Sequence, residues 1–411
     1  MDDSTRQQAY QAGMLSGGLI FVAVALMSIG VVMVASATAS LDRSLFDQGW
    51  WHTAFGRQLI FALAGALLMW LMSRTAPLAL ASPTMCRRVS RLLYVLAFVL
   101  LVATLIPGLS DAHRGSHRWL RFAPGGFALG IQPSELAKLA LVAFVAYLLT
   151  RPETDPRSLG KSFVPASLTI GLCVLFVGAE DFGTSVLLLG VGVAMLFVAG
   201  CRLRHLACLG AMGACGLAGL LLMAPYRIAR VTAYANIWAD PQGDGYQPLQ
   251  SLASIASGGW FGAGLGGGVQ KYGYLPEGHT DFIFAVICEE TGIFGACLVI
   301  ALFCTFLWLG LRTTLAARTP FERLVAFGLT ATIILQAAMN VAVVTVVTPT
   351  TGISLPWISA GGSGLITFCV AAGVLAAIAS RGTNQVEVRG PVAGSFEYSR
   401  TVVRPGGEPT W

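Results

Sequence analysis

The most concentrated group of reactive side chains lies at residues 274–284, where the polar run Tyr-Leu-Pro-Glu-Gly-His-Thr-Asp leads directly into apolar Phe-Ile-Phe. We expect Thr280 to cap the helix that follows, which would place Asp281 in its first turn at the rim of a membrane. A carboxylate held there can accept a proton from a substrate hydroxyl. The spacing alone fits a second capping carboxylate equally well. Glu289 and Glu290 follow on the same element, and pairing of one of them with an external arginine is a further structural interpretation.

A second group of ionisable residues lies in the Gln-Pro-Ser-Glu-Leu-Ala-Lys sequence of residues 132–138. Pro133 suits the first turn of a helix. Glu135 and Lys138 are three residues apart, so they share a helix face and can pair. Charged side chains inside a membrane segment are costly and are often functional. Two interpretations stay open: a structural ion pair that lowers the cost of burial, or a role for Lys138 as a positive charge for a substrate phosphate.

The loop over residues 110–130 carries more positive charge than its place in the chain predicts. Lysine and arginine gather in the cytoplasmic loops of membrane proteins. This loop lies between the third and fourth of about ten predicted spans, which puts it on the opposite side of the membrane. Its cations outweigh a single acid: Arg114, Arg118, Arg121, His113 and His117 against Asp111. Either the statistical rule tolerates this loop, or these cations bind an anionic ligand on the outer face.

Two further segments are polar or glycine-rich and carry no charge. The glycine run at residues 258–268 follows no predicted strand and lacks the Gly-Lys-Ser/Thr ending of a phosphate loop, so we expect close backbone packing or a hinge. Residues 349–363, which end at Ser363, are rich in hydroxyl groups and either line a polar cavity or form a turn. The nine cysteines form no Cys-x-x-Cys pair, so structural thiols are expected rather than a metal centre.

These side chains must be positioned by membrane-spanning helices. Of the 411 residues, 55% are hydrophobic and only 11% are charged, whereas soluble domains carry roughly 25% charged residues. This composition excludes an ordinary cytosolic enzyme, a disordered chain and a nucleic-acid binder with a basic face. A span needs about 20 apolar residues in helical form. We therefore predict an all-α polytopic membrane protein with about ten spans, near residues 14–37, 57–73, 91–109, 131–150, 164–179, 183–201, 205–224, 289–311, 323–347 and 363–380.

Lysine and arginine counts in the short loops set the expected orientation. The loops after the second, fourth, sixth and eighth spans hold the positive residues, so this side and both termini are expected to be cytoplasmic. The long connection at 225–288, between spans seven and eight, is then extracytoplasmic, with interfacial or re-entrant pieces. We expect a cytoplasmic N-terminus at 1–13, the membrane domain at 14–380 and a disordered cytoplasmic tail at 381–411. The first residues do not form a basic n-region, so the first hydrophobic segment is expected to be retained.

Together these segments resemble the SEDS family (shape, elongation, division and sporulation) of polytopic peptidoglycan polymerases. The resemblance covers roughly residues 15–380. It rests on five motifs, which are His117-Arg118-Trp119, residues 132–138, Asp181-Phe182-Gly183-Thr184, residues 275–282 and residues 349–363. Residues 238–241, and residues 259–262 with residues 269–271, look more like the division members of the family than the elongation members.

The resemblance implies glycosyl transfer on the outer face of the membrane. Family members polymerise lipid II, a disaccharide-pentapeptide on undecaprenyl pyrophosphate, into β-1,4 glycan strands with inversion. The family's catalytic aspartate corresponds to Asp281, the implied general base, and the pyrophosphate is expected near Arg118 and Lys138. Further substrate-binding positions are expected at Glu135, Arg114, Arg121, His279 and Ser363. No cofactor is implied, although a divalent cation, Mg²⁺ or Mn²⁺, could help to neutralise the phosphates.

The same resemblance implies partners and leaves two other functions open. The implied partners are lipid II, the nascent glycan strand, a class B penicillin-binding transpeptidase and other division proteins at the septum of the plasma membrane, with no nucleic acid. The alternatives are a lipid II flippase and a non-catalytic scaffold that recruits the transpeptidase. A flippase would place polar residues through the full depth of the membrane. Here the polar residues gather at the outer rim, which favours the enzyme.

Overall fold

The structure, a computed structural model, describes residues 3–38, 53–104, 106, 110–113, 116–122, 129–223 and 225–382. This part of the chain forms twelve α-helices and one small antiparallel sheet. The predicted helical, polytopic architecture is confirmed. The sheet was not predicted, because the hydrophobic pattern of the sequence indicates only helices.

Ten of the helices coincide with the ten predicted spans. They are α1 Asp3–Thr38, α2 Ala54–Leu80, α3 Pro83–Thr104, α4 Pro133–Leu149, α5 Val164–Glu180, α6 Phe182–Val198, α7 Leu203–Leu222, α10 Ile283–Ala316, α11 Pro320–Val344 and α12 Gly362–Gly382. The other two, α8 Pro225–Ala235 and α9 Tyr246–Gly258, lie in the long connection between spans seven and eight.

Seven helical segments of the described chain are long and apolar enough to cross a membrane. They are Tyr10–Thr38, Ala54–Leu80, Leu159–Glu180, Leu203–Leu222, Ile283–Ala316, Pro320–Val344 and Gly362–Gly382. The 17 residues of α6 are apolar but form a shorter helix. At the N-terminus, α1 begins at Asp3, so residues 3–13 continue the helix of the first predicted span. The predicted disordered tail lies outside the described residues beyond Gly382.

Short polar signals explain where several helices begin. Thr53 Oγ1, Asp181 Oδ1 and Thr319 Oγ1 each accept a hydrogen bond from the backbone N–H three residues later, at 3.0, 3.1 and 3.1 Å. These contacts cap α2, α6 and α11. Pro133 opens α4 as predicted, because its fixed φ suits the first turn and its missing N–H is not needed there.

Polar contacts between helix ends define two ends of the bundle, called the site end and the arginine end. At the site end α4, α6, α10 and α12 begin, and at the arginine end they finish. Gln132 Nε2 lies 3.4 Å from Asp181 Oδ2 at the site end, and Arg381 Nε lies 3.1 Å from Glu322 Oε1 at the arginine end. The basic loops of the sequence lie at the arginine end, with Arg74, Arg87, Arg88, Arg91, Arg151, Arg157, Lys161, Arg202, Arg204, Arg312, Arg318 and Arg323.

The basic loop at 110–130 forms the sheet, with β1 Ser110–His113, β2 Ser116–Phe122 and β3 Leu129–Ile131. The strands pair antiparallel in the order β1-β2-β3, and Leu120 lies opposite Ile131. Because β3 leads through Gln132 directly into α4, the sheet lies at the site end. The backbone of Arg118 and Arg121, both on β2, is therefore carried to that end.

The eighth span begins earlier than predicted and is broken. It starts at Ile283 rather than near residue 289, and Gly292 interrupts it with φ 66° and ψ −163°. The glycine run at 258–268 supplies the hydrogen bonds that the break removes. These bonds run from Ile293 N to Gly259 O (3.0 Å), Phe294 N to Trp260 O (3.4 Å), Ala263 N to Glu289 O (2.9 Å) and Gly264 N to Glu290 O (3.0 Å). The run thus serves close backbone packing.

The core centres on α12, which packs against α1, α2, α10 and α11. Trp357, in the loop before α12, is fully buried, and its ring centroid lies 5.1 Å from that of Phe306 and 5.9 Å from that of Phe368. The uncharged segment at 349–361 is therefore packed into the bundle rather than open to solvent.

Candidate active site

Asp281 lies in a turn at the site end, just before Phe282, the cap residue of α10. Its side chain is half-buried. Three consecutive backbone oxygens of this turn are held by other parts of the chain. His279 O accepts from Ala360 N at 2.9 Å, Thr280 O from Ser359 Oγ at 2.7 Å, and Asp281 O from Asn340 Nδ2 at 2.7 Å. The acid is thus positioned through its backbone.

The predicted cap at Thr280 is wrong. Phe282 precedes the first turn of α10 and makes no side-chain cap hydrogen bond. The Thr280 hydroxyl donates instead to Glu277 Oε2 at 2.7 Å. Glu277 has a left-handed backbone, with φ 59°, and its carbonyl accepts from the N–H groups of Thr280 and Phe282. Asp281 therefore precedes the helix, at the positive end of its dipole.

Glu135 and Lys138 form the predicted ion pair, deep inside the bundle. Lys138 Nζ lies 2.8 Å from Glu135 Oε1, and their side chains are 1% and 7% exposed. Lys138 Nζ also donates to Gln336 Oε1 at 2.7 Å and lies 5.0 Å from the ring centroid of Phe368. These contacts satisfy a buried ammonium group within the protein, which favours the structural interpretation of the pair.

Two polar side chains of α11 connect this ion pair to the turn of Asp281. Gln336, which binds Lys138, donates through Nε2 to Ser354 O at 2.9 Å. Asn340 follows one helical turn later and donates to both Asp281 O and Ile353 O, at 2.7 and 2.8 Å. One face of α11 thus links the ion pair, the segment at 353–354 and the acid.

Several buried polar atoms near this network have no hydrogen-bond partner among the described residues. They are Ser134 Oγ, Glu135 Oε2, Asn340 Oδ1, Thr351 Oγ1 and Ser363 Oγ. Ser363 lies in the first turn of α12, and a Cβ atom at the neighbouring Gly364 would lie 3.5 Å from Glu135 Cδ. Because buried polar atoms are normally paired, this cluster makes the site end of α4, α11 and α12 suited to a polar ligand.

Glu289 and Glu290 are buried in the short helical piece before Gly292. Glu289 Oε1 accepts from Val269 N at 2.7 Å, and Glu290 accepts from Ser36 Oγ at 2.8 Å to Oε1 and 2.6 Å to Oε2. In the described part of the chain neither forms the ion pair with arginine that the sequence suggested. Backbone and hydroxyl donors take that place.

A buried arginine that sequence reasoning missed joins the long connection to the site end. Arg227 of α8 donates through Nη2 to Ala179 O at 2.8 Å and through Nη1 to Leu220 O at 3.1 Å. Its Cζ lies 5.7 Å from the ring centroid of Phe182. Arg227 therefore joins the ends of α5 and α7 beside Asp181, which accepts from the Thr184 hydroxyl at 2.9 Å. An arginine in a connecting loop gives no sequence signal of such burial.

The structure does not describe the side chains of every residue in the predicted site. Arg114 lies outside them, and Arg118 and Arg121 are placed by their backbone in β2. His279 is half-buried and contributes its backbone oxygen to the turn of Asp281. The sequence analysis also did not identify Gln336 and Asn340. Two amide side chains four residues apart in an apolar span could have indicated a buried polar network.

A divalent cation held by the protein would need a cluster of ligating side chains. Across the described part of the chain, no three side chains of His, Cys, Asp or Glu come close enough together to hold a metal ion. The described residues therefore do not form a metal site from protein ligands alone.

Comparisons with known proteins cover almost the whole described chain. A family model for cell cycle proteins, that of the FtsW/RodA/SpoVE family, matches residues 18–384. The stage V sporulation protein E of Bacillus subtilis (strain 168) is 40% identical over 358 residues, which cover 87% of this chain and 94% of that protein. A probable peptidoglycan glycosyltransferase FtsW of Nitrosococcus halophilus (strain Nc4) is 39% identical over 361 residues, which cover 87% of this chain and 90% of that protein.

Solved structures share the architecture. A chain from a peptidoglycan synthase complex, described for its structural coordination of polymerization and crosslinking, has a TM-score of 0.70 and 27% identity, over 90% of this chain and 98% of that chain. The rod shape determining protein RodA of Thermus thermophilus has a TM-score of 0.61 and 24% identity, over 90% of this chain and 97% of that chain, which is a likeness of fold. Since the family model matches most of its length, this chain belongs to the FtsW/RodA/SpoVE family of cell cycle proteins.

Proposed function

We propose that this protein is a peptidoglycan glycosyltransferase that polymerises lipid II into β-1,4 glycan strands, with Asp281 as the general base. The observation that carries the proposal is the turn of Asp281, whose backbone is held by hydrogen bonds to His279 O, Thr280 O and Asp281 O. Preorganisation of this kind is what a base needs, because a displacement of about 1 Å can cost a hundredfold in rate. Family membership and the glycosyltransferase relatives support the same reaction.

In the proposed step, the Asp281 carboxylate accepts the proton of the 4-hydroxyl group on the acceptor sugar. The oxygen then attacks the anomeric carbon of the donor, and the bond to the α-linked pyrophosphate breaks with inversion. The leaving pyrophosphate carries away the bonding electron pair, so an additional acid is not required. Its developing charge needs fixed positive groups, and we assign that role first to Arg118 and then to Arg114 and Arg121.

The proposal divides the other predicted residues between positioning and contact. Lys138 is fully buried and bound to Glu135 and Gln336, so we assign this pair to positioning of α11 and, through Asn340, of Asp281. Ser363, whose buried hydroxyl has no partner in the described chain, and His279 are assigned to substrate contact. A divalent cation stays a proposal, to be tested by chelation and by addition of Mg²⁺ or Mn²⁺.

We further propose that the site end faces outward and that the arginine end, with both termini, is cytoplasmic. The concentration of arginines at one end of the bundle supports this orientation through the positive-inside rule. The similarity to a chain of a peptidoglycan synthase complex supports a class B transpeptidase partner. The FtsW relatives support a role at the division septum, and localisation of a fluorescent fusion to midcell or to the side wall tests it.

The deciding experiment is polymerisation of labelled lipid II by the full chain in proteoliposomes, with its transpeptidase partner present. We expect Asp281→Asn to abolish glycan strands, while Asp244→Asn, at an exposed acid in the same long connection, keeps wild-type activity. Normal polymerisation by Asp281→Asn would rule out the base assignment. A wild-type protein that translocates labelled lipid II without polymerising it would be a flippase. One that only recruits the transpeptidase would be a scaffold.

A further inference from the structure

Two arginines converge on one tyrosine at the arginine end, far from the turn of Asp281. Arg91 of α3 donates through Nη2 to the Tyr147 hydroxyl oxygen at 2.9 Å, and its Cζ lies 5.4 Å from the centre of the Tyr147 ring. The Cζ of Arg151, just beyond α4, lies 4.6 Å from the centre of the same ring. Both guanidinium groups are thus gathered around a single aromatic side chain.

The charge of this cluster is not neutralised within the described part of the chain. Neither Arg91 nor Arg151 forms an ion pair there, and the buried Nε of Arg151 has no hydrogen-bond acceptor. Arg87 and Arg88 are exposed within one helical turn of Arg91 and add to the positive charge. Buried guanidinium donors are normally paired, so a cluster with donors to spare is suited to a bidentate anion such as a phosphate.

An exposed apolar surface continues from Arg91 along α3, away from the arginine end. Leu92, Val95, Leu96 and Val99 are 69%, 58%, 45% and 56% exposed. The opposite face of α3 is already occupied, since Tyr94 stacks on Phe144 of α4 with 4.5 Å between ring centroids. An unfilled apolar stripe that ends at paired arginines matches the two parts of a phospholipid, its acyl chains and its head group.

We propose that Arg91, Tyr147 and Arg151 form a binding site for the phosphate of an anionic phospholipid, whose acyl chains lie along α3. Basic pockets between helices at a membrane surface recognise acidic head groups in this way. Continuity between the arginines and the exposed apolar stripe selects a lipid rather than a free phosphate. The site is separate from the proposed catalytic site and does not depend on the proposed function.

The test is a titration of the full chain in detergent with dioctanoyl phosphatidylglycerol, read by native mass spectrometry, with dioctanoyl phosphatidylcholine as the neutral comparison. We expect the double variant Arg91→Gln/Arg151→Gln to bind phosphatidylglycerol about thirtyfold more weakly, since each of the two arginines near a membrane surface contributes about 1 kcal/mol. Tyr147→Phe keeps the ring and should lose less. Arg91→Lys/Arg151→Lys keeps the charge and should recover part of the affinity, even if the glutamine variant folds poorly.

Arg312→Gln is the matched control, because Arg312 Cζ also lies over an aromatic ring, 5.4 Å from the centre of Trp308. It should bind phosphatidylglycerol as the wild type does. An unchanged affinity in the folded double variant would overturn the proposal, and so would an equal loss in Arg312→Gln, which would mean that any surface arginine serves. Displacement of the lipid by inorganic phosphate at similar concentration would also overturn it, in favour of a free-anion site.

Discussion

The side-chain amide of Asn340 binds the backbone oxygen of Asp281 at 2.7 Å, and the same nitrogen lies 2.8 Å from Ile353 O. Asn340 is 1% exposed, so these bonds are sheltered from water. A single donor group therefore joins the acid to the packed loop before α12. The backbone of the acid is thus fixed by side chains and backbone groups from distant parts of the chain.

Asn340→Ala should lower the rate of lipid II polymerisation at saturating substrate by about tenfold to a hundredfold, because misplacement of a catalytic group by about 1 Å has that cost. The KM should change little, and the pH profile should keep its shape, since the titrating acid remains. Steady-state assays across pH measure both quantities. Asn236→Ala, at an exposed position near α8, is the control. A wild-type rate in Asn340→Ala would contradict the positioning role.

The buried ion pair gives a prediction for stability. Lys138→Met should lower the free energy of unfolding by about 3–5 kcal/mol, because it leaves Glu135 charged and buried without its cation. The double variant Glu135→Gln/Lys138→Met should lose less, since neither charge remains. Thermal unfolding in detergent gives the order of the midpoints.

Lys161→Met serves as the control for that series, because Lys161 is exposed at the arginine end. It should leave the midpoint close to that of the wild type. A double variant less stable than Lys138→Met would mean that the pair stabilises through packing rather than through charge.

The sequence predicted the helices well because each is an apolar run of about 20 residues, a length that the membrane itself imposes. It also predicted the Glu135–Lys138 pair, since a spacing of three residues puts two side chains on one helix face. Both signals are local in the chain.

The parts that escaped prediction depend on contacts between distant segments. Asn340 binds backbone oxygens of Asp281 and Ile353, and a backbone oxygen has no sequence signature. Thr280 has a residue type that suits a cap, but α10 begins only after Phe282, and the Thr280 hydroxyl donates to Glu277 Oε2. The break at Gly292 was not predicted because it depends on backbone hydrogen bonds to the distant glycine run at 258–268.

The contact between the glycine run and that break can be tested by adding a single methyl group. Gly292→Ala should destabilise the fold, because a Cβ atom there would overlap Trp260 O and the backbone has φ 66°; strain of this kind alone costs about 1–3 kcal/mol. Gly216→Ala on α7 is the matched control, since no atom lies within 4 Å of its added Cβ. That control should gain up to about 1 kcal/mol from helix propensity. Equal midpoints for the two variants would refute the packing role of the glycine run.

Arg227 joins α8, in the long connection, to the ends of α5 and α7 at the site end, and it has no role in the proposed catalytic step. Arg227→Met should leave the oxygens of Ala179 and Leu220 without their guanidinium donors, at a cost of about 1–3 kcal/mol for each buried group left unpaired. Arg227→Lys keeps the charge, but its single nitrogen cannot reproduce both bonds of the planar guanidinium group. We therefore expect the midpoint of thermal unfolding to fall from wild type through Arg227→Lys to Arg227→Met. Arg204→Met, at an exposed arginine of α7, should change it little, and an equal fall in that variant would show that Arg227 contributes only its positive charge.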